Sequence, residues 1–386
     1  MTNITSAMTE LIKSAVLGEP LAKGFNEPTE QMVSEIYRLS KFHDIANIVG
    51  SALIDNGFVK SADMREKFQK EIMLSIYRER QMSAELVSIF EALSQAKIEF
   101  IPLKGSVIRP FYAKPWLRTS CDIDVLVRES DLDLAVKTLT EQYGYTTKGK
   151  VDYHDISLYS ASGVHLELHY NIKEVNDKMD AVLDRVWQYS APLCDGGFEF
   201  RQSPEFLLFH VVAHTAHHFR TGGCGIRPFI DIYLLRKNGG YDEQVLSSLC
   251  AEAGVEKFRQ AAYELISAWF DGKTYTDRAL KMEEFVLNGG TYGTLNQGVL
   301  AEQVSSGGRG KYLIKRIFLP YEHLQIRYPE VKKHPILVPF YQVRRWFELL
   351  FGKRLGVAVK QFNHSKNITQ EENKKTIELF DSLGLR

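Results

Sequence analysis

Asp122 and Asp124 stand one residue apart in "CDIDVLV", an otherwise apolar run. Alternation along a strand puts both carboxylates on one face, with Ile123 and Val125 on the other. Two acids so placed repel each other unless a cation offsets their charge. "VHLELHY" repeats the alternation, with Leu166, Leu168 and Tyr170 on one face and His165, Glu167 and His169 on the other. Glu167 is therefore available as a third ligand. Three hard oxygen donors with open positions suit Mg²⁺ or Mn²⁺ bridging the phosphates of a nucleotide, and the metal is the expected counter-charge. Upstream, Gly105 and Ser106 separate a strand from a helix, where glycine permits close backbone approach and a helix N-terminus offers N–H groups to phosphate. Lys104, Arg109 and Arg118 are nearby cations for phosphate charge.

The elements that must hold these residues follow from periodicity. Apolar residues at three- and four-residue intervals predict helices from Thr5 to about Leu93, broken near "GEP" and "DNG". A helix "AELVSIFEALSQA" leads into a short strand "IEFIPL". Ser106 is expected to cap a helix over "VIRPFYA". After "CDIDVLV", Ser130 and Asp133 resemble a capping box for the next helix, and two strands, "DISLYS" and "VHLELHYNI", follow. Ser203 and Pro204 then open a helix, and the remainder reads as mostly helical. The expected organisation is a helical region over 1–83, an α/β domain over 84–200 and a helical domain over 201–386, an α+β chain with a small mixed sheet.

The order strand, Gly-Ser, helix, D-h-D strand and later acid-bearing strand resembles the nucleotidyltransferase superfamily of the DNA polymerase beta type. Closer still is the similarity to the bacterial family of uncharacterised nucleotidyltransferases. It is carried by Leu103-Lys104-Gly105, Tyr112 with Arg118, "DIDVLV", Gly144-Tyr145, "ELHY" at Glu167–Tyr170 and "RPFIDIYLL", over roughly residues 85 to 350. Tyr170 stands where that family carries tryptophan. The resemblance implies that Asp122, Asp124 and Glu167 bind catalytic metal; Lys104, Gly105, Ser106, Arg109 and Arg118, with His169 and His214, are expected to contact nucleotide. It also implies nucleotidyl transfer with pyrophosphate leaving, without naming a substrate; the expected reaction moves a nucleoside monophosphate, AMP from ATP, to a hydroxyl or related acceptor. The acceptor class stays open among small molecule, peptide, protein and RNA. A second reading is a catalytically silent nucleotide-binding or interaction protein, antitoxin- or scaffold-like, retaining the fold.

Composition bounds the rest. The chain has 386 residues, 44% of them apolar, and 48 basic residues balance 48 acidic ones, so no global field recruits nucleic acid or anionic lipid. Four separated cysteines without a C-x-x-C pair fit a reducing cytoplasm, and no apolar stretch approaches the roughly 20 residues of a membrane span. The N-terminal stretch does not resemble a secretory signal. His210, His214 and His218 repeat every four residues beside His217. Without the glutamate of H-E-x-x-H they are expected to face the α/β unit, as structural groups or as contacts to nucleotide or acceptor, rather than to hold zinc. "HD" at His43-Asp44 and His154-Asp155 reads as chance. Arg227 and Asp231, one turn apart, are expected to pair. Between Lys311 and Lys366, twelve Lys or Arg face three Glu among interleaved aromatics, read as a solvated face on helices whose aromatics enter the core.

Overall fold

The computed structural model describes residues 3–147, 154–174, 176–291, 293–328, 330–351, 365 and 368–386. At the centre of the acid-bearing unit is a five-stranded mixed sheet of β1 (Phe100–Pro102), β2 (Asp122–Val127), β3 (Thr146–Thr147), β4 (Asp155–Tyr159) and β5 (His165–His169). The strand order is β1-β2-β5-β4-β3, and β2 runs parallel to β5 while every other pair is antiparallel. A small second sheet pairs β6 (Ser190–Pro192) with β7 (Phe200–Gln202), and neither it nor β3 was legible as strand in the sequence.

Alternation divides the main sheet as expected. Ile123, Val125 and Val127 of β2 join Leu166 and Leu168 of β5 in a core against helices Ala62–Gln95 and Leu132–Tyr143. That helix ends at Gly144, whose φ of 71° is the left-handed conformation that glycine adopts without penalty. The chain then turns so that Tyr145 is buried, its hydroxyl donating to Glu85 at 2.7 Å. The Gly-Tyr pair therefore ties the sheet unit to the long helix.

The opposite sheet face meets the helices that flank it in sequence. Ile101, Leu103 and Leu126 share one continuous core with N-terminal residues such as Met8 and Leu11 and C-terminal residues such as Phe206, Phe229 and Phe380. Helices Asn3–Leu17 and Ala46–Asp55 end at the two predicted turns, and a further, unpredicted break at 43–45 follows helix Glu30–Phe42. Helix Ala62–Gln95 then runs unbroken past position 84 into β1. Ser203 caps helix Pro204–Thr221 as expected, accepting from the Phe206 N–H at 3.4 Å.

Two local expectations are corrected. After Gly105 only one α-turn forms (Gly105–Ile108), followed by a 3-10 turn at Arg109–Phe111, because Pro110 has no N–H to continue an α-helix. Its N-cap is Lys104, not Ser106. Helix Leu132–Tyr143 starts after a 3-10 turn at Glu129–Asp131, with no side-chain cap, so Ser130 does not form the expected box.

Candidate functional site

The parallel register of β2 and β5 sets Asp122 opposite His165, Asp124 opposite Glu167 and Leu126 opposite His169. Paired residues in register point to the same face, so all three acids converge. Ligand atoms of Asp122, His165 and Glu167 lie within 4.8 Å of one another, and so do those of Asp124, Glu167 and His169. The donor set, three carboxylates with open geometry and imidazole at the margin, fits a hard divalent cation.

The offset to acid–acid repulsion differs from the expectation. Lys104 Nζ lies 2.8 Å from Asp124 Oδ1, and His169 Nε2 lies 3.0 Å from the same oxygen and 3.5 Å from Glu167 Oε2. Burial pushes the Asp124 carboxyl up, but Lys104 and His169 outweigh it and hold the group well below the usual carboxylate range. Burial also works against His169, yet its bonds to Asp124 and Glu167 raise it above an ordinary histidine. Among the described residues Asp122 has no such partner, and burial, with the charges of Asp124 and Glu167, pushes it up to about 6. The fold itself therefore supplies a cation for Asp124, whereas Asp122 is left facing two acidic neighbours. Lys104 reaches the pair from a backbone with φ 42°, a region that non-glycine residues rarely occupy, and such strain concentrates at functional sites.

The acids, Lys104 and Gly105 line a cavity of about 420 Å³ together with His214, His217 and Glu174. Arg118 also lines it, but its guanidinium is engaged: Nη2 and Nε reach Asp231 Oδ2 and Oδ1 at 2.8 and 3.3 Å. Tyr112 donates to Asp231 Oδ1 at 2.7 Å. Two of the motif positions, Tyr112 and Arg118, are thus joined by an aspartate more than a hundred residues away. The expected Arg227–Asp231 pair does not form. Asp231 faces the buried Arg118, while Arg227, at the start of the same helix, bonds the Asp44 carbonyl at 2.7 Å and pairs with its carboxylate.

That brace explains Gly105. A Cβ there would lie 2.8 Å from Arg118 Nη1 and 3.3 Å from Ser120 Oγ, and Arg118 cannot retreat without leaving Asp231. Gly105→Ala is expected to destabilise the protein by about 1–3 kcal/mol through overpacking, read as a drop in denaturation midpoint. Ser106 and Arg109 do not line the cavity. Arg109 is buried behind the loop, with Nη2 donating to Ser120 Oγ at 3.0 Å and Nε to the Arg118 carbonyl at 3.4 Å. The N–H groups of Ser106 and Val107 already serve the carbonyls of Leu103 and Lys104.

The sequence model of the uncharacterised nucleotidyltransferase family matches residues 29–271. The chain belongs to that family. The match takes in the N-terminal helices and stops well before residue 350, so it reaches further upstream and less far downstream than the motifs alone indicate. No curated protein and no solved structure gives a significant match. Membership makes the chain a nucleotidyltransferase acting on a nucleotide substrate, and the acid cluster is its possible metal site. Among the described residues no helix is long and apolar enough to cross a membrane.

The nucleotidyltransferase carries its histidines in distinct settings. His214 Nδ1 is 2.6 Å from Glu174 Oε1, and its Nε2 is 3.1 Å from His218 Nε2. His210 is buried, with Nδ1 accepting from Gln202 at 3.2 Å, and burial pushes it down to about 3. Neither "HD" pair builds a phosphohydrolase centre: Asp44 holds Arg227, and His154 stacks on His169 with ring centroids 5.4 Å apart. His43 also lines the cavity, fully buried with Nε2 at 3.2 Å from the Leu287 carbonyl, and burial pushes it down to about 4. A histidine kept neutral by the fold takes up a proton more readily when unfolded, so the unfolded state binds more protons below the ordinary value of 6.5. Stability is fully present above about pH 6.5 and is lost as pH falls toward 4, by about 3 kcal/mol from His43 alone. Urea midpoints at pH 7 and 4.5 test this, and His43→Asn should flatten the slope.

The basic-aromatic segment is only partly as expected. Tyr312, Tyr328 and Tyr341 are buried, but Phe318, Phe340 and Phe347 are more than half exposed. Residues 329, 352–364 and 366 of that segment lie outside the described residues.

Proposed function

We propose that the protein transfers AMP from ATP to a hydroxyl or related acceptor, releasing pyrophosphate, with Mg²⁺ or Mn²⁺ held by Asp122, Asp124 and Glu167. The observation that carries this reading is the β2/β5 register, which brings the third acid beside the aspartate pair on the cavity face. A bound divalent ion would polarise the α-phosphoryl group and lower the pKa of the attacking hydroxyl. Asp122 and Glu167 supply open carboxylate oxygens for it. Lys104, a quarter exposed at the cavity wall, can turn from Asp124 to a phosphate oxygen when another cation takes over its partner. Arg118, fixed by Asp231, holds the Gly105 turn against the cavity, and His169 fixes the Asp124 carboxylate. In-line attack of the acceptor oxygen on the α-phosphorus then expels pyrophosphate.

The experiment is incubation of the protein with α-labelled nucleoside triphosphates, Mg²⁺ or Mn²⁺ and a cell extract, followed by location of the label. The reading requires metal-dependent pyrophosphate release in step with label transfer, strongest with ATP. A second reading, a silent nucleotide-binding or interaction protein, is favoured by the ammonium of Lys104 already seated on Asp124. It predicts ATP binding with neither metal-dependent turnover nor pyrophosphate.

A further inference from the structure

The transferase reading leaves open which group takes the proton from the acceptor hydroxyl. We propose that His214, oriented by Glu174, is that general base, so that the acceptor is a neutral hydroxyl compound bound between the acid cluster and helix Pro204–Thr221. The inference rests on the transferase reading and adds to it a residue pair and a side of the cavity.

The four histidines of this helix are not equivalent. His210 is enclosed and bonded to Gln202. His217 turns Nε2 toward Glu174 Oε2 at a distant 3.6 Å. His218 is exposed, and its one short bond is to His214. Of these four, His214 alone combines a short bond to a carboxylate, 2.6 Å, with a place in the cavity lining. Because Glu174 can only accept, Nδ1 carries the hydrogen and Nε2 keeps its lone pair, the tautomer a general base requires. Glu174 is itself anchored: its N–H donates to Asp180 Oδ1 at 2.7 Å, and its side chain is largely shielded from solvent. The lone pair of His214 now accepts from His218, an exposed side chain that can swing aside for a hydroxyl.

Charge sets the protonation of the resting ring, at some cost to its strength as a base. Burial and then the nearby Lys104 hold His214 well below an ordinary histidine, which keeps it neutral at pH 7. In the step itself the acceptor O–H bond breaks and its proton passes to His214 Nε2. The oxygen bonds the α-phosphorus, and the bond to the pyrophosphate oxygen breaks with its electron pair. The imidazolium formed is stabilised by Glu174 and then loses its proton to solvent.

The test uses the full chain with ATP, Mg²⁺ and a heat-treated cell extract as acceptor source, following pyrophosphate release and label transfer. Binding of α,β-methylene-ATP with Mn²⁺ is measured in parallel. His214→Gln is expected to lower kcat about 10²- to 10⁴-fold while nucleotide affinity changes less than about twofold. Glu174→Gln should lower kcat less, and the double variant should be no worse than His214→Gln, because the two act as one unit. His214→Ala should regain activity with added imidazole, which a purely structural histidine would not show. Transfer by His214→Gln within about threefold of wild type, or a loss explained by weaker nucleotide binding, overturns the inference alone. Failure of the wild type to release pyrophosphate overturns the transferase reading and this inference with it.

Discussion

Glu167→Gln is expected to reduce nucleotidyl transfer roughly 10³-fold, the scale seen when a preorganised electrostatic contact to the reacting group is removed, while the fold persists. The argument is electrostatic on both counts. Glu167 is one of three carboxylates crowded on the cavity face, and its charge helps push Asp122 up to about 6. Removing that charge relieves repulsion in the absence of metal, so the variant should denature no earlier than wild type. What it loses is a ligand shared by both groups of potential donors. A cation that binds only the folded state raises the denaturation midpoint by mass action. The wild type should therefore show a Mg²⁺- or Mn²⁺-dependent rise that the variant lacks. Asp122→Asn should behave in the same way. Full transfer by both variants would remove the metal assignment.

Asp231→Ala is expected to destabilise the protein by about 3–5 kcal/mol, the cost of leaving one member of a buried ion pair without its partner. Arg118 is only 11% exposed and Asp231 only 4%, so solvent cannot replace the lost carboxylate. Tyr112, also buried, loses its acceptor in the same substitution. Asp231→Asn, which can still accept from Tyr112, should cost less. In the fraction that stays folded, Arg118 is free to leave Gly105, and transfer should fall as well. Urea denaturation of both variants checks the first claim, and transfer per folded molecule checks the second. A loss below about 1 kcal/mol for the alanine variant would mean that Arg118 finds another partner.

The two predictions differ in what they owe to local sequence. Asp122, Asp124 and Glu167 could be picked out because a strand imposes a period of two on its side chains, so a few residues reveal which ones share a face. Asp231 could not be assigned correctly on the same terms. Its sequence neighbour Arg227 satisfies the helical spacing for a pair, but spacing lists possible partners and says nothing of competitors arriving from other segments. Both Arg227 and Asp231 find such competitors, Asp44 and Arg118, each more than a hundred residues away. The role of Glu174 was hidden for a related reason. It sits after β5 in a stretch without periodicity, and only the packing of helix Pro204–Thr221 beside it gives its carboxylate a histidine.

By itself the sequence determined the strand faces, the acid trio, the helix boundary set by Ser203 with Pro204, and the family that these motifs resemble. These are short-range properties, fixed by backbone geometry within a few residues. The tertiary structure alone decided the strand register that joins Glu167 to Asp124 and the seating of Lys104 on that aspartate. It also decided the buried Tyr112–Arg118–Asp231 brace and the meeting of the histidine helix with the acids in one cavity. Each of these depends on which distant groups the folded chain brings within a few ångströms of one another, and charge interactions are settled by that separation and by the exclusion of water around it.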